Sequence, residues 1–265
     1  MLKAIKLSII IVAYKSGGHL ERCVASLYQK LGDSFAWEII IVNSDSEYDI
    51  HKAALDFSRI KVVNHRKNIG FGPGANLGAK SAEGDFLLML NPDTEINGEN
   101  IGDVLEEFLR DENVGVIGGG IIDDAGGKQA WSAGRELSFY DLFRNNFGIS
   151  RSRPIWNSSR KINCDWVAGT ALFIRRDLFE RLGGFDENFF MYFEDMDLCR
   201  RARQVGNRVR YFPGFKVFHS GGKSYEGKKL QKKHYYDSME KYFKKNKSRW
   251  QWLVLRLVRK VFFNN

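Results

Sequence analysis

The sequence has few cysteines and no long apolar run. Its three cysteines, Cys23, Cys164 and Cys199, are scattered and form no CxxC pair. This pattern argues against a disulfide framework or a zinc site and indicates a reducing compartment. The first apolar run, Leu7 to Ala13, is too short to span a membrane and no small-residue cleavage site follows it, so we expect no signal peptide.

Positive charge is scarce in most of the chain and concentrated at its end. Residues 1–222 carry 28 basic and 29 acidic residues, whereas residues 223–265 carry 13 basic and three acidic ones. A nucleic-acid-binding domain would spread positive charge over its fold, so this distribution argues against a nucleic-acid partner. A nearly neutral body with a basic tail instead indicates an appendage that seeks an anionic surface.

Strand and helix patterns alternate along the first hundred residues. Apolar β-branched runs predict buried strands, and helical spacing predicts helices between them. The predicted strands are 7–12, 37–42, 60–63 and 85–90, and the predicted helices are 19–30, 48–58, one ending near residue 80, and 99–110. This rhythm is typical of an α/β fold with a right-handed, doubly wound, mostly parallel sheet and helices on both faces.

The second half of the chain is less regular. Residues 123–162 are polar and without clear periodicity, which indicates a loop region with a function. Short strands are predicted at 168–174, 209–212 and 216–219, and helices at 177–182 and 194–205.

The predicted strand 85–90 runs into acidic residues. Because Pro92 cannot donate to a sheet ladder, pairing should stop there and the strand should deliver Asp93 to its carboxyl end. Ligands of open α/β sheets bind outside that end. A carboxylate at this place suits a divalent metal that carries a phosphorylated ligand, although a solvated aspartate in a type I turn has the same sequence pattern.

Several short motifs follow one another in a fixed order. They are 12–16, 41–46, the glycine-rich loop 68–76, 91–94, 169–176, 183–187, 193–198 and 219–222. Together, over roughly residues 6–245, they closely resemble family 2 glycosyltransferases, which are inverting enzymes with the GT-A fold. Within that family the pattern is similar to bacterial rhamnosyltransferases of surface polysaccharide assembly.

The resemblance implies a Rossmann-like GT-A domain over residues 1–222, followed by a basic, helical C-terminal extension over 223–265. Residues 1–97 would form the nucleotide-binding half of the domain and residues 98–222 the acceptor half.

The resemblance also implies a divalent metal, Mn²⁺ or Mg²⁺, as a Lewis acid on the donor diphosphate. Asp93 stands at the family's aspartate-x-aspartate position. Asn91 stands where the family often has another acid, and its carbonyl oxygen could coordinate without adding charge. His219 resembles the late metal-binding histidine of the family, and a single histidine favours Mn²⁺. A histidine satisfied by its own fold is the alternative.

Two adjacent acids, Glu194 and Asp195, match the family's catalytic pair. The resemblance implies that Asp195 is the general base for the acceptor hydroxyl and that Glu194 orients the acceptor or the base. Spacing alone favours another interpretation, in which both acids cap a helix. Trp166 and Gly169 are expected near the acceptor.

A nucleotide pocket is expected after the first two strands, at Ala13 and Tyr14 and at the end of the second strand. The family usually has an aspartate there that binds the base; here Asn43 takes that position and Asp45 follows, and either could bind a pyrimidine N3–H. The remaining expected contacts to nucleotide and sugar are Asn68, Gly70, Phe71, Asn76, Asn91 and Asp93. A plain helix-entry turn is the alternative for the glycine-rich loop.

The chain end, residues 250–263, has the pattern of an amphipathic helix. Its basic face comprises Arg249, Arg256 and Lys260, and its apolar face comprises Trp250, Val254, Leu257, Val258 and Val261. Such a helix suits an anionic membrane interface, and packing on its own domain or in a dimer is the alternative. We expect a cytoplasmic protein that is peripheral on the inner membrane, and the oligomeric state stays open.

The expected reaction is transfer of L-rhamnose from dTDP-L-rhamnose to a glycan or polyprenyl-diphosphate-linked acceptor of O-antigen or capsule synthesis. UDP-linked hexose or galactofuranose donors stay open. A sugar nucleotidyltransferase is an alternative of another class, but it should carry a basic glycine loop after the first strand, of which 16–18 is a poor version. A non-catalytic GT-A scaffold is a further alternative, favoured by Asn43 and Asn91.

Overall fold

The computed structural model describes residues 2–47, 50, 59–97, 101–123, 125–221 and 227–262. The predicted helix at 48–58 therefore lies outside the described residues except for Ile50, as do Gly222 of the last motif and Phe263 of the tail. The same holds for the side chains of Lys260 and Val261.

The described residues form a central sheet with helices on both faces. The strands are β1 (Lys6–Ala13), β2 (Ala36–Asn43), β3 (Ile60–Asn64), β4 (Phe86–Leu90), β5 (Thr94–Ile96), β6 (Val114–Ile122), β7 (Ala133–Gly134), β8 (Ile162–Cys164), β9 (Trp166–Val167), β10 (Ala171–Arg175) and β11 (Arg208–His219). The helices are α1 (Gly18–Lys30), α2 (Phe71–Ala79), α3 (Ile101–Arg110), α4 (Phe139–Asn146), α5 (Arg153–Trp156), α6 (Arg176–Arg181), α7 (Glu194–Gln204), α8 (Lys228–Asn246) and α9 (Arg249–Phe262).

The sheet is mixed and mostly parallel, in the order β3-β2-β1-β4-β10-β6-β11-β5, with β8 beside β11. Strands β3, β2, β1 and β4 are parallel, and so are β6 and β11. Strand β10 runs antiparallel between β4 and β6, with its first residue, Ala171, opposite the last residue of β4, Leu90. The carboxyl ends of β1, β4 and β11 and the start of β10 therefore share one edge of the sheet.

Both faces of the sheet are buried, which explains why its first strands are continuous apolar runs. Along β1, Ile9 and Ile11 pack in a core with α1 and α3, while Ile10 packs in a second core on the opposite face. Helices α2, α6 and α7 contribute to this second core through Ala75, Leu178 and Leu198. The predicted α/β architecture is thereby confirmed.

The basic chain end is an integral part of that second core. Met239, Tyr242 and Phe243 of α8 and Leu255 of α9 are each at most 5% exposed. Burial of one such side chain contributes about 1.5–3 kcal/mol to stability. The extension is therefore not a free appendage, as its charge alone suggested, because its apolar residues are buried in the second core.

Three segments differ in detail from the predicted pattern. The region 123–162 contains β7, α4 and α5, which are too short for their periodicity to stand out. A short strand, β5, follows Asp93, and the two predicted strands around Pro213 are one strand, β11, with a register shift between Phe212 and Lys216. None of the described helices has the length and apolar character needed to cross a bilayer.

Candidate active site

A cleft of about 1040 Å³ opens at the carboxyl edge of the sheet. Most of the residues predicted from the sequence line it. They are Tyr14, Asn68, Gly70, Phe71, Asn91, Asp93, Trp166, Gly169, Glu194, Asp195 and His219. Two groups carry the ionisable chemistry, and we call them the Asp93 cluster (Asn91, Asp93, Gln129, His219) and the Glu194 cluster (Gly169, Tyr192, Phe193, Glu194, Asp195).

The Asp93 cluster is assembled by the pairing of two strands. Thr94, the first residue of β5, lies opposite His219, the last residue of β11. This register brings the histidine beside the aspartate, with Nε2 of His219 3.4 Å from Oδ1 of Asp93. The side-chain nitrogen of Asn91 lies 3.5 Å from the same Nε2. Residues 128 positions apart in sequence thus meet at one point of the cleft.

Gln129 orients the histidine. Its Oε1 lies 2.9 Å from Nδ1 of His219. Because a carbonyl oxygen only accepts, Nδ1 donates to Gln129, and in the charged ring Nε2 also carries a proton, which faces Asp93. Metal-binding histidines are usually held by such a hydrogen bond from their second nitrogen. Sequence reasoning missed Gln129, since it lies in the irregular region and belongs to no recognisable motif.

The Asp93 cluster fits a divalent cation. Burial alone would raise the pKa of Asp93. The hydrogen bond from His219 and the charge of His219 outweigh burial and lower this pKa, so the carboxyl group is ionised. Within the described part of the chain, no group of three or more His, Cys, Asp or Glu side chains is arranged to hold a metal. One carboxylate and one imidazole would leave most positions around Mn²⁺ or Mg²⁺ to phosphate oxygens and water.

Among the described residues no cation pairs with Glu194 or Asp195, so the electrostatics of the Glu194 cluster differ from those of the Asp93 cluster. Asp195 accepts hydrogen bonds from the backbone N–H groups of Gly169, at 2.9 Å, and Met196, at 2.7 Å. Glu194 is buried, and its Oε2 has no hydrogen-bond partner among the described residues. Burial raises the pKa of both carboxyl groups, and the adjacent charge of Asp195 raises that of Glu194 further.

The backbone before this acid pair is strained. Tyr192 and Phe193 have positive φ angles of 66° and 68°, a conformation that costs about 1–3 kcal/mol per residue. Phe190, two residues earlier, accepts a hydrogen bond from the backbone N–H of Phe71 at 3.0 Å. A Cβ atom on Gly70 would lie 2.1 Å from the same carbonyl oxygen, so only glycine fits there. The glycine-rich loop therefore supports the strained segment 190–193 in addition to lining the cleft.

Helix α8 supports the same segment from the other side. The Ser238 hydroxyl donates to the carbonyl oxygen of Met191 at 2.6 Å, and Gln231 donates to the Tyr192 hydroxyl at 2.8 Å. The ring of Tyr235 packs at 5.4 Å from that of Phe193. These contacts come from the basic extension, so composition gave no signal that it holds the acid pair in place.

Four residues predicted to contact the nucleotide are not among those that line the cleft: Ala13, Asn43, Asp45 and Asn76. Asn76 bonds the backbone of Phe185 in both directions, at 2.8 and 2.9 Å, and so fixes the turn before the acid pair. The Asn43 side chain bonds Asn64 and the backbone of Asp45, whose own carboxylate accepts from the backbone of Lys15 at 3.2 Å. These polar side chains brace the loops after β1 and β2.

Comparison with known proteins identifies the family. A sequence model described as glycosyl transferase family 2 matches residues 8–183, which include most of β1, all of β2, the glycine-rich loop and the Asp93 motif. The chain belongs to this family. It is therefore a glycosyltransferase, and the nucleotidyltransferase alternative is excluded.

Two relatives and one solved structure illustrate the resemblance. The N-acetylglucosaminyl-diphospho-decaprenol L-rhamnosyltransferase of Mycobacterium tuberculosis is 27% identical over 237 residues, 80% of this chain and 75% of that protein. The rhamnosyltransferase WbbL of Escherichia coli is 27% identical over 80% of this chain and 82% of its own. A mannosyltransferase from Pyrobaculum calidifontis, solved with GDP-Man and Mn²⁺, superimposes with a TM-score of 0.61 at 16% identity, covering 97% of this chain and 70% of that one. This last likeness confirms the fold.

Proposed function

We propose that this glycosyltransferase moves L-rhamnose from dTDP-L-rhamnose to a hydroxyl group of a lipid-linked acceptor in surface glycan synthesis, with inversion at C1. The observation that carries this proposal is that an ionised carboxylate beside a histidine and the adjacent carboxyl groups of Glu194 and Asp195 line the same cleft. The rhamnose donor is supported by the two rhamnosyltransferase relatives, each of which matches 80% of the chain.

Asp195 is the proposed general base. Its hydrogen bonds from the backbone of Gly169 and Met196 favour the ionised form, whereas Oε2 of Glu194 has no partner among the described residues and Glu194 has the more strongly raised pKa. Carboxyl groups in one site divide acid and base roles according to their surroundings. Glu194 would therefore stay protonated and donate a hydrogen bond to the acceptor.

The transfer balances as a single displacement. The acceptor oxygen forms a bond to C1 of the sugar as the bond from C1 to the diphosphate oxygen breaks. The hydroxyl proton passes to the carboxylate of Asp195, and the bonding electron pair leaves with the nucleoside diphosphate. Asp93 and His219, with the carbonyl oxygen of Asn91, would hold Mn²⁺ or Mg²⁺, which when bound stabilises negative charge on the diphosphate.

The experiment is a donor-hydrolysis and thermal-shift screen of the purified full-length chain. The donors are dTDP-rhamnose, UDP-glucose, UDP-galactose and UDP-N-acetylglucosamine, each with Mn²⁺, Mg²⁺ or EDTA. We expect metal-dependent binding and hydrolysis of dTDP-rhamnose, with binding lost in Asp93→Ala. Preference for a UDP sugar would overturn the rhamnose assignment. Absence of binding to any nucleotide sugar would favour the non-catalytic GT-A scaffold instead.

We further propose that the protein works at the cytoplasmic surface of the inner membrane. Helix α9 packs on α8 through Leu255 and through Arg259, which bonds Glu240 at 2.8 Å. Its opposite side exposes Trp250, Leu253, Val254 and Leu257 beside the basic Arg249 and Arg256. Apolar residues flanked by arginine suit an anionic bilayer interface.

The membrane proposal is tested by sedimentation with liposomes. The wild-type chain should sediment with vesicles containing phosphatidylglycerol and much less with pure phosphatidylcholine. A Leu253→Gln/Leu257→Gln variant should lose this binding, while Val205→Gln, which changes an exposed valine at the end of α7, should keep it. Equal recovery of both variants with the vesicles would refute the assignment to α9.

A further inference from the structure

The cleft has an apolar arm that the catalytic chemistry does not use. It is lined by Phe139 and Leu142 of α4 and by Leu255 and Val258 of α9. None of these side chains can bind a phosphate, a sugar hydroxyl or a metal ion through polar atoms. An apolar lining of this kind recognises a hydrocarbon part of a ligand.

The two helices that line the arm also carry exposed apolar residues. The Phe139 ring lies 5.4 Å from the ring of Trp250, so α4 and α9 touch at this point. Beyond the contact, α4 and the residues after it expose Tyr140, Phe147 and Ile149, and α9 exposes Leu253 and Leu257. Exposed apolar residues on both helices that line the arm are typical of an interaction surface.

The two acidic clusters and the apolar arm belong to one cleft. Its volume of about 1040 Å³ lies at the upper end of the range of about 300–1,000 Å³ that ligand sites span. A ligand with a hydrocarbon portion in the arm would therefore share this cleft with the Asp93 and Glu194 clusters.

We propose that the apolar arm binds the isoprenoid chain of a lipid diphosphate whose attached sugar is the acceptor. The inference rests on the proposed function, because a lipid-linked acceptor brings both a hydroxyl group and a hydrocarbon chain to one cleft. The chain would pass between α4 and α9 towards the bilayer on which α9 lies. Burial of isoprene units against these side chains removes apolar area from water and so adds affinity.

The test is photo-cross-linking of the full-length protein, in detergent-free buffer, with a benzophenone analogue of farnesyl diphosphate. We expect labelled peptides from α4 and α9 that contain Leu142 or Val258. Unlabelled farnesyl diphosphate should compete with the probe, and inorganic diphosphate should not. Labelling restricted to the outer residues of α9, or full competition by inorganic diphosphate, would overturn the inference.

Single substitutions provide a second readout. Val258→Gln should weaken labelling about five- to tenfold, whereas Val258→Ile and the distant Val205→Gln should keep wild-type labelling. Thermal unfolding of each variant checks that the fold is retained, and unchanged labelling of folded Val258→Gln would refute the site. Donor hydrolysis measured on the same preparation separates the two proposals. Labelling of the arm without hydrolysis of any donor would refute the donor assignment alone. Donor hydrolysis without labelling of the arm would refute the isoprenoid site alone.

Discussion

The Asp93 cluster and the Glu194 cluster line one cleft and both rely on carboxyl groups, but their surroundings differ. Asp93 follows a central strand and lies beside an imidazole that lowers its pKa. Glu194 and Asp195 begin a helix after two strained residues, and burial raises their pKa. The first setting favours a charged ligand of a cation, and the second favours a group that exchanges a proton. Surroundings, and not residue type, would separate the two proposed roles.

The largest effect expected is that of Asp195→Asn on sugar transfer. Loss of a general base lowers the rate about 10²–10⁴-fold, while the Asp93 cluster and hence donor binding should be unaffected. Rates of transfer and donor-induced thermal shifts would be measured side by side. Asp33→Asn, at a position whose side chain is 95% exposed, is the matched control. Equal loss of donor binding in Asp195→Asn would mean that the two clusters do not have separate roles.

The next effect concerns the anchoring of the Glu194 cluster to the extension. Glu136 bonds Arg203 of α7 at 2.7 Å and Lys247, between α8 and α9, at 2.6 Å. Burial alone would raise the pKa of Glu136, but these cations outweigh burial and hold it at about 2. Glu136→Gln should therefore lower the free energy of unfolding by about 3 kcal/mol at pH 7.

The pH dependence of that difference follows from the lowered pKa. The stabilisation is fully present above the ordinary glutamate pKa, 4.5, and is lost as the pH falls towards the folded-state value of about 2. The gap in unfolding free energy between wild type and Glu136→Gln should therefore narrow in urea titrations between pH 5 and about 3. Exposed Glu112→Gln serves as control. A gap that stays constant with pH would show that the contribution of Glu136 is not electrostatic.

A smaller effect would test the orientation of His219. Gln129→Leu removes the acceptor of the Nδ1 proton, and loss of such a support typically weakens metal affinity about 10–100-fold. Mn²⁺ titrations of donor binding would measure this, with activity restored at high Mn²⁺. The exposed Gln204→Leu variant should titrate like wild type. If Gln129→Leu lowered the rate of transfer equally at all metal concentrations, Gln129 would not act by orienting His219 for the metal.

The smallest effect expected is that of Ser238→Ala, which removes one hydrogen bond to the strained segment 190–193. If the acid pair shifts as a result, a loss of about 1 kcal/mol corresponds to a roughly fivefold lower kcat. The KM for the donor should not change, because Ser238 does not line the cleft. Exposed Ser248→Ala is the control. A rise in donor KM without a change in kcat would contradict a positioning role.

Much of the structure of residues 1–97 could be predicted from local sequence patterns. The runs at 7–12, 37–42 and 85–90 became β1, β2 and β4 because strands buried on both faces must be apolar throughout. The position of Asp93 followed from the end of β4. Gln129 and Ser238 could not be predicted, since each acts through one long-range hydrogen bond that no periodicity records.

Gly70 also shows what local sequence patterns could not predict. A glycine-rich loop predicts close approach of the backbone to something, and a nucleotide was the expected neighbour. The structure places the Phe190 carbonyl oxygen there, 120 positions further along the chain. The basic extension is a second case: its charge indicated a surface, while its buried Tyr242 and Phe243 bind it to the core.

The sequence by itself determined the positions of the first strands, the carboxylate at the end of β4 and the family, because these depend on local burial patterns and on motifs of adjacent residues. Only the tertiary structure decided which residues complete the site. The hydrogen bond between Gln129 and His219, the support of Glu194 and Asp195 by α8, and the apolar arm between α4 and α9 all arise where distant segments pack together. Such contacts depend on the shape of the whole fold, which no short stretch of chain contains.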